Sequence, residues 1–283
     1  MPTTLLITAL GALFTLGLSQ STLTLPSGLP AIALIALITL LTQWLAFIPA
    51  FLKQTERYYD LTGSLTYITC TLLTLTLTPT PTPRALTLAL LVTLWAARLG
   101  AFLFRRVHQD GGDGRFDHIK PNLGAFLTAW TLQGLWVLIT ASAAWSATLS
   151  THPAPMGWLD LIGVGVWALG FGVEVIADQQ KRAWRARRGA GAFVREGLWR
   201  YSQHPNYLGE ITLWGGVALL ALPALHGWAH LSLLSPVCVY LLLTRVSGVP
   251  LLEARGRARW GDDPEYQDYI RRTPRLIPWR RRP

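Results

Sequence analysis

The first 52 residues of the chain contain no ionisable side chain, whereas residues 181–200 and 253–283 are dense with arginine. Long uncharged stretches broken by short cationic clusters are at home only when each stretch crosses a hydrocarbon core and each cluster stays in water. Of the 283 residues 51% are hydrophobic and 14% are charged, about half the charge of an ordinary soluble domain. Backbone polar groups inside lipid must be satisfied within the segment that carries them, and segments this long do so as helices. The expected fold is therefore all-α, a polytopic membrane helical bundle forming one membrane domain over residues 1–283.

Apolar spans are expected at about 3–18, 29–52, 61–79, 85–104, 122–149, 158–178, 206–223 and 229–250. That makes about eight transmembrane helices, or seven if the short first segment does not cross. The third carries Thr66, Thr69, Thr71, Thr74, Thr76 and Thr78. In water this composition would suggest a strand, but between two spans it must be helical. Lysine and arginine number 2, 4 and 7 in the connections after the second, fourth and sixth spans, and 9 in the tail. The other connections hold 0, 1, 0 and 0. The positive-inside rule then places the C-terminus and the arginine-rich connections in the cytoplasm, the pattern of a bacterial inner-membrane protein.

The net charge of +10 does not point to nucleic acid, because the cations sit between apolar spans and not on a soluble face. Membrane lipid headgroups or a phosphorylated cofactor suit them better. Cys70 and Cys238 both lie in apolar segments and read as small buried hydrophobes.

Charges within spans are costly unless paired or wetted, so they mark candidate chemistry. Arg98, Glu174, Asp178, Glu210 and Arg245 all fall in the half of a span nearer the expected cytoplasmic side, which suggests a polar cavity opening there. Glu174 and Asp178 are four apart and share a helix face, as do Asn206 and Glu210. Pro205 suits a first helical position, leaving the free N–H groups behind it as an anion site. Lys181, Arg182, Arg185, Arg187, Arg188 and Arg200 could then cradle phosphates in the preceding loop, or serve as a topology signal alone. The 105–120 connection holds His108, Asp110, Asp113, Asp117 and His118 at a spacing that fits no metal-binding pattern; it reads as a solvated turn.

The stretch Gly197-Leu198-Trp199-Arg200-Tyr201-Ser202-Gln203-His204-Pro205-Asn206-Tyr207-Leu208-Gly209-Glu210, followed by Trp214 and Gly215, resembles the C-terminal signature of the steroid 5α-reductase superfamily, in particular its bacterial branch. The resemblance covers roughly residues 90–283. It implies NADPH bound from the cytoplasmic side and reduction of a carbon–carbon double bond in a lipid-like enone. Asn206 and Asp178 match family residues that contact the cofactor, and Arg98 matches a family arginine. Trp95 stands where the reductases have a catalytic tyrosine, Glu174 stands in place of an asparagine, and the histidine-rich segment near Arg245 is absent. Glu253, Tyr266, Tyr269 and the run Pro274-Arg275-Leu276-Ile277-Pro278 also resemble the isoprenylcysteine carboxyl methyltransferases, which use S-adenosylmethionine.

The leading expectation is thus an NADPH-dependent membrane reductase acting on a lipid-like small molecule. Asp178, Arg182, Arg200, His204, Asn206, Arg98 and Arg245 would bind the cofactor, and Glu174, Glu210 and Tyr207 are the candidate proton donors. An S-adenosylmethionine-dependent methyltransferase and a non-catalytic lipid-binding membrane protein are the alternatives.

Overall fold

The structure, a computed structural model, describes residues 2–189 and 191–278. The described residues form helices and turns with a single isolated β-bridge between Thr24 and Pro30. The long helices are α1 (Pro2–Ser19), α2 (Ala31–Leu52), α3 (Tyr59–Leu77), α4 (Pro83–Asp110), α5 (Leu123–Thr148), α6 (Trp158–Arg188) and α7 (Pro205–Ala221). They are followed by α8 (Ser235–Leu241), α9 (Val249–Trp260) and α10 (Pro264–Arg272). Among the described residues, seven helical segments are long and apolar enough to cross a membrane, including α1 and the composite segment Gly227–Trp260. The chain is an all-α, membrane-embedded bundle, as its composition requires.

The chain divides into two compact units, residues 1–161 with 217–235, and residues 162–216 with 236–283. In the first unit, Thr82 caps α4 by accepting a hydrogen bond from Ala85 N at 3.1 Å, and Asn122 caps α5 through Ala125 N at 2.9 Å. Such caps satisfy N–H groups that the first helical turn cannot. The α4 helix ends where Gly111 turns left-handed at φ 80°.

The threonine-rich α3 is not among the seven most apolar segments, yet it traverses the unit. Its start lies beside that of α5, where Tyr59 donates to Ala129 O at 2.9 Å. Farther along, Trp145 donates to Thr71 at 2.9 Å, and Thr78 donates to Thr148 O at 3.1 Å where both helices end. Within α3, Thr62, Ser64 and Thr66 return their hydroxyls to carbonyls one turn earlier at 2.7–3.1 Å. Each hydroxyl is thereby satisfied inside the helix, which lets threonine tolerate an apolar surrounding.

At one end of this unit Arg84 is buried against Asp160, with its remaining donors on the carbonyls of Ala154 and Pro155 at 2.7 and 2.8 Å. At the other end the 105–120 connection leaves His108, Asp110, Asp117 and His118 exposed, as a solvated turn would, but ion pairs run through it. Asp113 holds Arg115 at 2.6 Å, Arg106 reaches Asp60 and Asp113 at 3.6 Å, and Lys120 reaches Glu56 at 2.6 Å. The opposing carboxylates come from the α2–α3 turn (Glu56), the first turn of α3 (Asp60) and the connection itself (Asp113).

In the second unit α6 and α7 pack backbone to backbone. A Cβ on Gly209 would stand 2.6 Å from Glu174 N and Gly170 O, and one on Gly216 would stand 2.5 Å from Trp167 N. Small residues at such seams let helices approach closely where lipid provides no hydrophobic drive. The last long segment is broken: α8 passes into a π-helical turn over Leu242–Val246 and α9 restarts at Val249. Contrary to expectation, α6 does not stop near residue 178 but continues to Arg188. Ala, Gln, Lys and Arg are strong helix formers, so the helix persists beyond its apolar part.

Candidate functional site

The site is built where α6 leaves its apolar part and α7 begins. The antiparallel register that faces Gly170 with Leu213 and Glu174 with Gly209 sets Asp178 level with Pro205 and Asn206. Glu174 and Asp178 are both buried, at 2% and 6% exposure. Continuing the same face at alternating steps of three and four residues come Lys181, Arg185 and Arg188, progressively exposed. One stripe of α6 thus runs from two buried carboxylates to three cations.

The lead-in to α7 is held from both sides. Gln180 Oε1 accepts from Leu198 N at 2.8 Å, beneath Gly197 at φ 60°, and Trp199 Nε1 donates to Ala177 O at 3.0 Å. Only glycine fits at 197, since a Cβ there would run into the Gln180 amide. From the tail, Gln203 Nε2 donates to the carbonyls of Ile270 and Thr273 at 3.0 and 2.6 Å, Gln203 N donates to Pro274 O at 2.9 Å, and Tyr269 donates to Trp199 O at 2.8 Å.

Inside this frame His204 is 6% exposed and stacks on Tyr207 with ring centroids 5.6 Å apart. Neither of its ring nitrogens has a hydrogen-bond partner among the described residues, and neither does the buried Oδ1 of Asn206. Buried polar atoms ordinarily find partners, and here three without one fall within three residues. Burial, then the neighbouring Lys181 and Arg275, push the His204 pKa down to about 4, against the opposing pull of Glu253. The Glu253 carboxylate is clamped by both nitrogens of the Arg275 fork. Burial also pushes the Tyr269 phenol up.

Of the residues singled out in the sequence, Glu174, Asp178, His204, Asn206 and Tyr207 are brought together here, with Glu210 one residue beyond the seam glycine. Arg182 and Arg200 are exposed at the same end. Arg245 is exposed on the π-helical turn, and Arg98 lies in the first unit with its guanidinium over Phe102 at 5.3 Å. Lys181 lies over the Trp199 ring at 5.0 Å, Arg188 over Trp184 at 5.6 Å, and Arg187 pairs with Glu196 at 3.3 Å. The expected loop cradle is therefore a helical end, where cations also offset the negative pole of the helix dipole. Sequence reasoning missed Gln180 and Gln203, whose amides shape the lead-in without any charge to betray them. Among the described residues no group of three or more His, Cys, Asp or Glu could hold a metal ion.

The fold is that of a helical membrane protein, with buried polar side chains gathered where two close-packed helices meet. The chain belongs to the DUF1295 family, described as proteins of unknown function, whose model matches residues 46–273. That match reaches back beyond the region starting near residue 90 and takes in α3 and the ion-pair network. The chain is also similar to uncharacterized protein C594.04c of Schizosaccharomyces pombe (strain 972), with 27% identity over 192 residues and 56% of each chain covered. The chain thus spans about half the length of that relative. No solved structure matches.

Proposed function

We propose that the protein is an NADPH-dependent reductase of a carbon–carbon double bond in a hydrophobic, lipid-like enone, with its cofactor site at the start of α7 facing the cytoplasm. The observation that carries the reading is the cluster of orphaned polar atoms on His204 and Asn206, level with the buried Asp178 and bordered by Lys181. These residues suit a nicotinamide dinucleotide: amide, imidazole and carboxylate for its neutral polar parts, and Arg182, Arg200 and the α7 N-terminus for its phosphates. The cofactor would supply hydride. Glu174, Glu210 and Tyr207 are the candidate proton donors, and Glu174 is buried. Trp95, in the place of the family tyrosine, is buried against Tyr67 at 5.1 Å and has no O–H to donate.

The acidic side of the same site favours a second reading. Glu174 and Asp178 on α6, with Glu253 beside His204, would suit the sulfonium cation of S-adenosylmethionine and hence a methyltransferase.

Direct binding of each cofactor to the detergent-purified protein separates the two. NADPH is expected to bind, and Asn206→Ala and Asp178→Ala to weaken it roughly tenfold to a hundredfold, the worth of one charge-assisted hydrogen bond. Binding of S-adenosylmethionine alone transfers the site to the second reading, and wild-type affinity in both variants removes these residues from it.

A further inference from the structure

The first unit carries a second basic feature that the proposed activity does not use. Between the end of α2 and the end of α4 lies a cavity of about 340 Å³, lined by Lys53, Gln54, Thr55, Glu56, Arg57, Gly111 and Lys120. Its walls are fixed. Gln54 holds a left-handed backbone at φ 49°, unusual without glycine, and its amide donates to Phe51 O at 2.8 Å. The buried Glu56 accepts from Asp113 N at 2.7 Å and pairs with Lys120 at 2.6 Å, while Asp117 reaches Lys120 at 3.3 Å.

The floor of the cavity is therefore electrically settled. Lys53 and Arg57 are not: both are exposed, and no ion pair among the described residues engages either. Lys53 and Arg57 thus present two like charges at one mouth, which an anion bound between them would offset. The neighbours show where that anion comes from. Leu52 is 76% exposed, Ile48 53% and Tyr58 55%, so exposed apolar and aromatic side chains directly precede Lys53 and follow Arg57 along the chain. An aromatic and a pair of cations just past the last apolar turn of a span is the pattern found at headgroup depth.

We propose that Lys53 and Arg57 form a binding site for the phosphate of an anionic lipid headgroup, whose acyl chains lie along the exposed end of α2. Two uncompensated cations match a phosphomonoester dianion best and a phosphodiester less well. In the orientation expected from the lysine and arginine distribution, this mouth faces the anionic cytoplasmic leaflet. The site belongs to the first unit, and its occupancy does not depend on which cofactor the second unit binds.

The test uses the purified full-length chain in neutral micelles, followed by thermal melting as phosphatidic acid, phosphatidylglycerol or phosphatidylcholine is titrated in, with inorganic phosphate as a fourth arm. Phosphatidic acid is expected to raise the melting temperature at the lowest mole fraction, phosphatidylglycerol at a higher one, and phosphatidylcholine and inorganic phosphate not at all. In Lys53→Gln/Arg57→Gln the half-saturating fraction of phosphatidic acid should rise by roughly thirtyfold. The charge-preserving Lys53→Arg/Arg57→Lys should respond like the parent, which separates loss of charge from loss of fold. Equal protection by phosphatidylcholine overturns the proposal, as does an unchanged response in the neutral double variant. Protection by inorganic phosphate alone overturns the lipid as the source.

Discussion

At the scale of single residues, His204 has the most informative environment in the site. Its pKa lies near 4 in the fold against 6.5 in water, because burial and the facing Lys181 and Arg275 outweigh the attraction of Glu253. Between those two values the unfolded chain binds a proton that the folded chain does not, so stability falls as pH drops from 6.5 towards 4. The difference is on the order of 3 kcal/mol. Melting in detergent should therefore show a decline over that window which His204→Gln flattens; parallel profiles for parent and variant would mean that the ring is wet. His204 and Asn206 were legible in the sequence because they sit together in one motif. Glu56, Asp113 and Lys120 were not, since their meaning comes from pairings between distant turns and no local pattern announces those.

At the scale of elements, the α6–α7 seam explains why the motif around Asn206 contains a glycine. Gly209 faces backbone atoms of Gly170 and Glu174, so an added methyl has nowhere to go and the helices must part. Gly209→Ala should cost roughly 1–3 kcal/mol of stability, the usual penalty of overpacking, and weaken ligand binding as Asp178 moves away from Asn206. Gly215, on the same helix, faces open space, and Gly215→Ala should be close to neutral. Equal melting temperatures for the two variants would remove the seam from the argument. The helices themselves were readable from hydropathy, α3 included, because threonine hydroxyls bond back to their own helix. The length of α6 was not, because a span read from hydropathy stops at the first cluster of charges, whereas a helix stops only where its backbone is capped.

For the whole molecule, the alternation of helices is the firmest expectation drawn from composition, and the passage of α3 across the first unit supports it. Reporters fused near Gly189 and after Pro283 should both be cytoplasmic, and one inserted at Thr80, between α3 and α4, should lie on the opposite side. A Thr80 signal on the same side as Gly189 would mean that α3 does not cross. The division into two units left no trace in the sequence, since no linker of distinct composition separates them; it is set by which helices pack, and packing is not a local property.

The tail that fastens Gln203 and Trp199 has a consequence for how the protein is made. The carbonyls of Ile270, Thr273 and Pro274 and the hydroxyl of Tyr269 come from residues that follow α9 and are synthesised after it. By then the ribosome has already delivered the helices α1 to α7 to the bilayer. Insertion and completion of the site are thereby separated in time: a nascent chain stopped after Gly261 should integrate these helices yet fail to bind the proposed cofactor, because residues 269–274, which fasten the lead-in to α7, have yet to be made.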